Sequence, residues 1–108
     1  MKSGKCFNPD GTEEEVLEYL GITPQLNSGR FWINKGDGQI YEFMVELKRS
    51  PKRKQVTVTN KMWDKARRDA CSEGLIPMLL IIVGDKPLAV CDWTLFEELM
   101  LDERDEFV

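Results

Sequence analysis

Three side chains in this sequence are of a kind and spacing suited to chemistry: Asp37, Glu46 and Lys48. Glu46 and Lys48 are two positions apart, so on a β-strand both point to the same face. Asp37 lies in Lys35-Gly36-Asp37-Gly38, at a turn or strand start, with eight residues between it and Glu46. Two carboxylates are what a hard divalent cation such as Mg²⁺ requires, with water completing its shell. A lysine beside them orients or helps activate a metal-bound water and offsets charge on a phosphate. Such a set suits phosphodiester hydrolysis, which needs no histidine, and the chain contains none. The same three residues also suit a hairpin turn followed by a solvated pair on one strand face. Taken alone, they do not separate the two.

The missing histidines exclude Ser-His-Asp and Cys-His catalysis and His-containing metal sites. The three cysteines, Cys6, Cys71 and Cys91, form no CxxC pair. An odd, unspaced count fits a reduced, cytoplasmic protein better than a disulfide scaffold. No run approaches the ~20 apolar residues of a membrane span; the apolar stretch Ile76 to Val83 has eight and includes Pro77. No apolar segment follows Met1-Lys2-Ser3-Gly4-Lys5, so no secretory signal is expected.

At 108 residues, 42% of them hydrophobic, the chain is long enough for one domain with a core. Its net charge of −4 argues, as a total, against a nucleic-acid partner. The total conceals a segregation. From Lys48 to Arg68 nine basic residues face one acid, a balance of +8, while the remainder carries six bases and eighteen acids, or −12. A polyanion responds to the local field, because charges beyond about 8 Å are screened at physiological salt. A solvated basic loop accounts for such a run equally well unless a site adjoins it.

The elements that must position these residues follow from pattern. Thr12 caps a helix through about Leu20, with Glu15 as its capping-box partner and Gly21 at its end. Glu13, Val16, Leu17 and Leu20 form one stripe, which predicts that Glu13 faces the body of the protein. Pro24 to Gly29 reads as loop. Phe31-Trp32-Ile33 and Gln39 to Lys48 read as strands around Lys35 to Gly38, the second with Tyr41, Phe43, Val45 and Leu47 on one face. Gln55 to Thr59 alternates weakly, as a short edge strand does. Asn60 caps a helix to about Glu73, with Trp63, Ala66 and Ala70 inward and Lys61, Lys65 and Arg68 outward. Ile76 to Val83 is a strand covered on both faces. Leu88 to Cys91 is a further strand, and Thr94 caps a short last helix, with an acidic tail over 102–108. The expected fold is an α/β sandwich with a mixed sheet.

Ser28-Gly29, Lys35-Gly36-Asp37, Glu46-Leu47-Lys48-Arg49-Ser50, the Lys61 to Ala70 helix and Gly74-Leu75-Ile76-Pro77-Met78-Leu79-Leu80-Ile81 occur in a distinctive order. Over roughly Glu13 to Val90 the chain resembles the PD-(D/E)xK nuclease superfamily. Within it the likeness is greatest to small phage-type enzymes related to archaeal Holliday junction resolvases. The resemblance implies a restriction-endonuclease-like core, a mixed β-sheet flanked by helices, in a single domain over 1–108. It implies that Asp37 and Glu46 hold Mg²⁺, with Mn²⁺ as a substitute, and that Lys48 is the motif lysine. The Leu47 carbonyl is a further metal ligand in this reading, and Glu13, or Glu14 one residue on, completes the site. Ser28 would lie near the scissile phosphate. The residue before Asp37 is Gly rather than the Pro of the superfamily's name. Glu14 stands where resolvases often carry an arginine.

Under the resemblance the basic stretch borders the cleft. Arg49, Lys52, Arg53 and Lys54 would track phosphates from a loop, Lys61, Lys65 and Arg68 from a helix face, and Gln55 beside them. The expected function is a metal-dependent, structure-selective endodeoxyribonuclease acting on branched DNA such as a four-way junction. The expected setting is the cytoplasm of a bacterium or phage-infected host. Symmetric cutting needs two active sites, hence a homodimer, for which Phe31, Trp32, Trp93 and Phe96 are candidate contacts. The alternatives are a nuclease of the same fold in nicking, restriction or repair, and a non-catalytic nucleic-acid-binding module.

Overall fold

In the computed structural model, which describes residues 7–24, 36–50 and 54–106, helix α1 (Glu13–Tyr19) begins at the expected capping box. The Thr12 hydroxyl accepts from the Glu15 N–H, and the Glu15 carboxylate accepts from the Thr12 N–H, each at 3.1 Å. Two backbone donors of the first turn are thereby satisfied. Val16 and Leu17 are buried, but Glu13 is exposed. The inward stripe starts only in the second turn, so the expectation that Glu13 faces the body is corrected.

Five strands form one sheet in sequence order: β1 (Thr23–Pro24), β2 (Gly38–Ile40), β3 (Phe43–Ser50), β4 (Ile76–Val83) and β5 (Lys86–Val90). Only β3 and β4 run parallel, with Glu46 beside Leu79 and Lys48 beside Ile81. A parallel pair needs a long crossover, and helix α2 (Asn60–Ser72) lies within it. Helix α3 (Trp93–Glu106) follows the sheet. The class is α/β with a mixed sheet flanked by helices, as the pattern predicted.

The sheet is covered on both faces. Val45, Leu47, Leu80 and Ile82 pack with Val16 and Leu17 of α1 on one side. Leu79 and Ile81 pack with Ala66 of α2 on the other. Alternation along β3 therefore sends Glu46 and Lys48 to the α2 side. Burial of β4 on both faces explains the uninterrupted apolar run from Ile76 to Val83.

Several elements differ from expectation. The strand expected over Gln39 to Lys48 is broken by a two-residue turn, Tyr41-Glu42, joining β2 to β3. Tyr41 has φ 51° and is 86% exposed, so it does not share the inner face with Phe43 and Val45. Pro24, expected to open a loop, pairs with β2 together with Thr23; the rest of that expected loop, 25–29, lies outside the described residues. Residues 55–59 form no strand, and Thr59, not Asn60, caps α2 by accepting from the Met62 N–H at 3.2 Å. The acidic stretch Asp102 to Glu106 is helical, part of α3 rather than a tail. The strand expected at Phe31 to Ile33 lies outside the described residues. Among the described residues, no helix is long and apolar enough to cross a membrane.

Gly36 has φ +80°, and a Cβ there would stand 2.6 Å from Met44 Cγ. Proline, fixed near φ −65°, cannot adopt this conformation. That gives a backbone reason for the glycine in front of Asp37. Gly36→Ala should lower stability by about 1–3 kcal/mol, read as a shift in the urea midpoint. An unchanged midpoint contradicts the tight turn.

Candidate active site

Asp37 is placed by two hydrogen bonds to the edge of β3. Its N–H donates to the Val45 carbonyl at 2.9 Å, and its Oδ2 accepts from the Leu47 N–H at 2.7 Å. The first residue of β2 is Gly38, so past that point β3 has the Asp37 side chain as partner where a strand would otherwise continue. Glu46 lies between the two anchor residues, which brings the carboxylates together. The N–H and C=O of a strand residue leave on the same edge, so the Leu47 carbonyl is directed to the edge that Asp37 occupies.

The Glu46 side chain is only 14% exposed. Burial, and then the negative charge of Asp37, push its carboxyl above the ordinary range; Lys65 and Lys48 pull it down less strongly, and Asp69 adds to the rise. Lys65 reaches in from α2, with Nζ 2.9 Å from Asp69 Oδ2 and 4.0 Å from Glu46 Oε1. The hydrogen bond to Asp69 raises the Lys65 pKa, opposed by desolvation and assisted by Glu46. Three acids, Asp37, Glu46 and Asp69, thus share a field with Lys48 and Lys65.

Asp69 is absent from the sequence reading. Its signal was available: it lies three residues after Ala66 and seven after Met62, on the buried stripe of α2. An acid on such a stripe points at something polar beneath.

Of the expected site residues, the structure brings Asp37, Glu46, Lys48 and Lys65 together. Glu13 stands exposed on α1, which packs on the sheet face opposite Glu46. Lys48 and Gln55 line a shared surface groove with Arg49, Ser50, Val56, Thr57 and Met62. Lys54, Gln55, Lys61 and Arg68 are exposed, as phosphate contacts must be. Ser28, Lys52 and Arg53 lie outside the described residues.

Arg49 departs from its expected role. It sits in β3 rather than a loop, and its Nη1 donates to the carbonyls of Pro9, at 3.0 Å, and Gly11. The guanidinium ties the motif strand to the segment that leads into α1. Charge-assisted bonds of this kind contribute about 1.5–3 kcal/mol. Arg49→Met should therefore lower stability by about that much in chemical denaturation. A residue serving DNA alone leaves the midpoint unmoved, which is the outcome that contradicts this assignment.

Among the described residues, no group of three or more Asp, Glu or Cys side chains is placed to hold a metal. The donors at hand are two carboxylates and a backbone carbonyl, all oxygen. That set fits a hard cation that keeps several waters, as Mg²⁺ does. Burial first, and then the neighbouring Asp37 charge, disfavour the ionised form of Glu46, and a bound cation would favour that form.

No protein-family model, curated protein or solved structure matches the chain.

Proposed function

We infer that the protein is a metal-dependent endodeoxyribonuclease of the PD-(D/E)xK type, structure-selective and resolvase-like, acting as a homodimer on branched DNA. The observation that carries this reading is Asp37, bonded to the edge of β3, beside Glu46 and Lys48 on the face of β3 that α2 covers. The order of elements, with a mixed sheet between α1 and α2, supports a restriction-endonuclease-like core.

A divalent cation between Asp37 and Glu46 would supply Lewis-acid polarisation of a phosphate and a nucleophilic water at neutral pH. The chain's own residues do the rest. Asp37, locked by the Leu47 N–H, holds its oxygens without reorganisation. Lys48 shares the face of Glu46 and presents an ammonium to the charge that grows on the phosphate. Lys54, Lys61 and Arg68 hold flanking phosphates and fix the register of the duplex.

The homodimer is supported by α3. Trp93 (68% exposed), Phe96, Leu99, Met100 and Leu101 stand exposed there, as does Leu88 of β5. Trp93 and Phe96 lie with ring centroids 5.3 Å apart. Trp93, Phe96, Met100 and Leu101 line one surface depression, and an exposed apolar patch of this kind marks an interaction site. The expected contacts at Phe31 and Trp32 lie outside the described residues.

The test is a labelled four-way junction and a matching linear duplex, incubated with Mg²⁺ and either wild type or Glu46→Gln. Paired, symmetric nicks in the junction by wild type alone are expected. Equal cutting of both substrates removes junction selectivity. Salt-sensitive binding without cutting leaves a binding module.

A further inference from the structure

We propose that Lys65, held by Asp69, is a built-in counter-ion for Glu46 that a divalent cation must displace, so that this α2 pair sets the metal affinity of the site. The inference rests on the reading of Asp37 and Glu46 as metal carboxylates.

Lys65 and Asp69 are one helical turn apart, and Ala66 and Ala70 beside them are buried, which fixes the face that α2 turns to the sheet. The Lys65 ammonium stands 2.9 Å from the helix carboxylate of Asp69 and 4.0 Å from the strand carboxylate of Glu46. The carboxylates of Asp69 and Glu46 are mostly covered, at 18% and 14% exposure, while the Lys65 side chain is 62% exposed. The acids are therefore fixed near one another, and the cation between them is the movable part. A flexible four-carbon stem lets an ammonium leave such a position readily.

A doubly charged cation competes with this single charge for the same Glu46 oxygens. Displaced Lys65 remains on the helix that carries Lys61 and Arg68, where a DNA phosphate is its natural next partner. One lysine thus fills the cation position without metal and serves the substrate with it. Asp69 is a positioning residue: its hydrogen bond keeps the ammonium short of direct contact with Glu46.

The experiment is calorimetric titration of Mn²⁺ into the DNA-free full chain. Lys65→Met should bind Mn²⁺ about three- to fivefold more tightly than wild type, the scale of a partly exposed ion pair. Lys65→Arg keeps the charge and should stay within about twofold of wild type. Asp69→Asn frees the ammonium for Glu46 and should weaken Mn²⁺ about threefold, but change it by less than about twofold when Lys65 is already Met. Unchanged affinity in Lys65→Met overturns the counter-ion role. Equal weakening by Asp69→Asn in both backgrounds overturns it too, and makes Asp69 a ligand. In either case, loss of Mn²⁺ binding in Glu46→Gln leaves the metal reading standing. Equal Mn²⁺ binding by wild type and Glu46→Gln, or none by wild type, removes both.

Discussion

Glu46→Gln should abolish Mg²⁺-dependent cleavage, by about a thousandfold, and at the same time make the protein more stable at neutral pH. The two effects have one cause. Glu46 is buried beside Asp37, and both facts hold its carboxyl above the ordinary value of 4.5. The native state therefore keeps this proton to higher pH than the unfolded chain does. Stability falls as pH rises through 4.5 and on through the raised folded-state value, and above both the penalty is complete. Glutamine carries no such charge. Thermal midpoints of wild type and variant should agree at low pH, where Glu46 is protonated in both states, and separate at neutral pH with the variant higher.

Excess Mg²⁺ should raise the wild-type midpoint, because a ligand of the native state stabilises it by mass action, and leave Glu46→Gln unmoved. Asp37 gives the contrasting case. Asp37→Ala should lose cleavage as fully, yet lower stability by about 1–3 kcal/mol, because the Leu47 N–H then loses its charged acceptor. Opposite stability effects with the same loss of activity are hard to obtain from a hairpin turn and a solvated pair. A Glu46→Gln variant that keeps full Mg²⁺-dependent cutting, or melts below wild type at pH 7, contradicts the assignment.

The residues that the sequence could place were those whose position follows from local periodicity. Thr12 and Glu15 announce α1 because a capping box is a local hydrogen-bond pattern. Ile76 to Val83 announces a doubly covered strand because burial on both faces leaves no room for alternation. Glu46 and Lys48 share a face because strand geometry requires it. The misses come from long-range contacts or from turns without their usual residues. Tyr41 occupies a positive-φ turn position where glycine or asparagine is customary, so the hairpin left no mark. Arg49 looks like any member of a basic run until the Pro9 and Gly11 carbonyls, about forty residues away, come to meet it. Glu13 belongs to the right stripe, but the stripe is covered only from Val16 onward. Asp69 was legible in principle, as an acid on a buried helical stripe, and was hidden by the basic residues around it.

The basic residues of α2 and of the segment before it make the second large prediction. Lys54, Lys61 and Arg68 are exposed, and among the described residues no ion pair engages them. Each phosphate neutralised on duplex DNA adds about 0.9 to the slope of log K against log salt. Replacing all three by Ala should flatten that slope by about 2.7 and weaken binding near physiological salt by about 10²–10³-fold. Lys86→Ala is the control, since that lysine already pairs with Asp85 at 3.2 Å, and its slope should match wild type. An unaltered slope in the triple variant means that these cations do not touch the backbone. The loss should also be the same for every duplex sequence, because phosphate contacts position DNA without reading bases. It should be equally large for a junction arm and a linear duplex. Selectivity for a branch, on this reading, cannot come from these side chains, and has to come from how two copies of the basic face are set relative to each other. Junction preference should therefore survive the triple substitution at low salt while overall affinity falls.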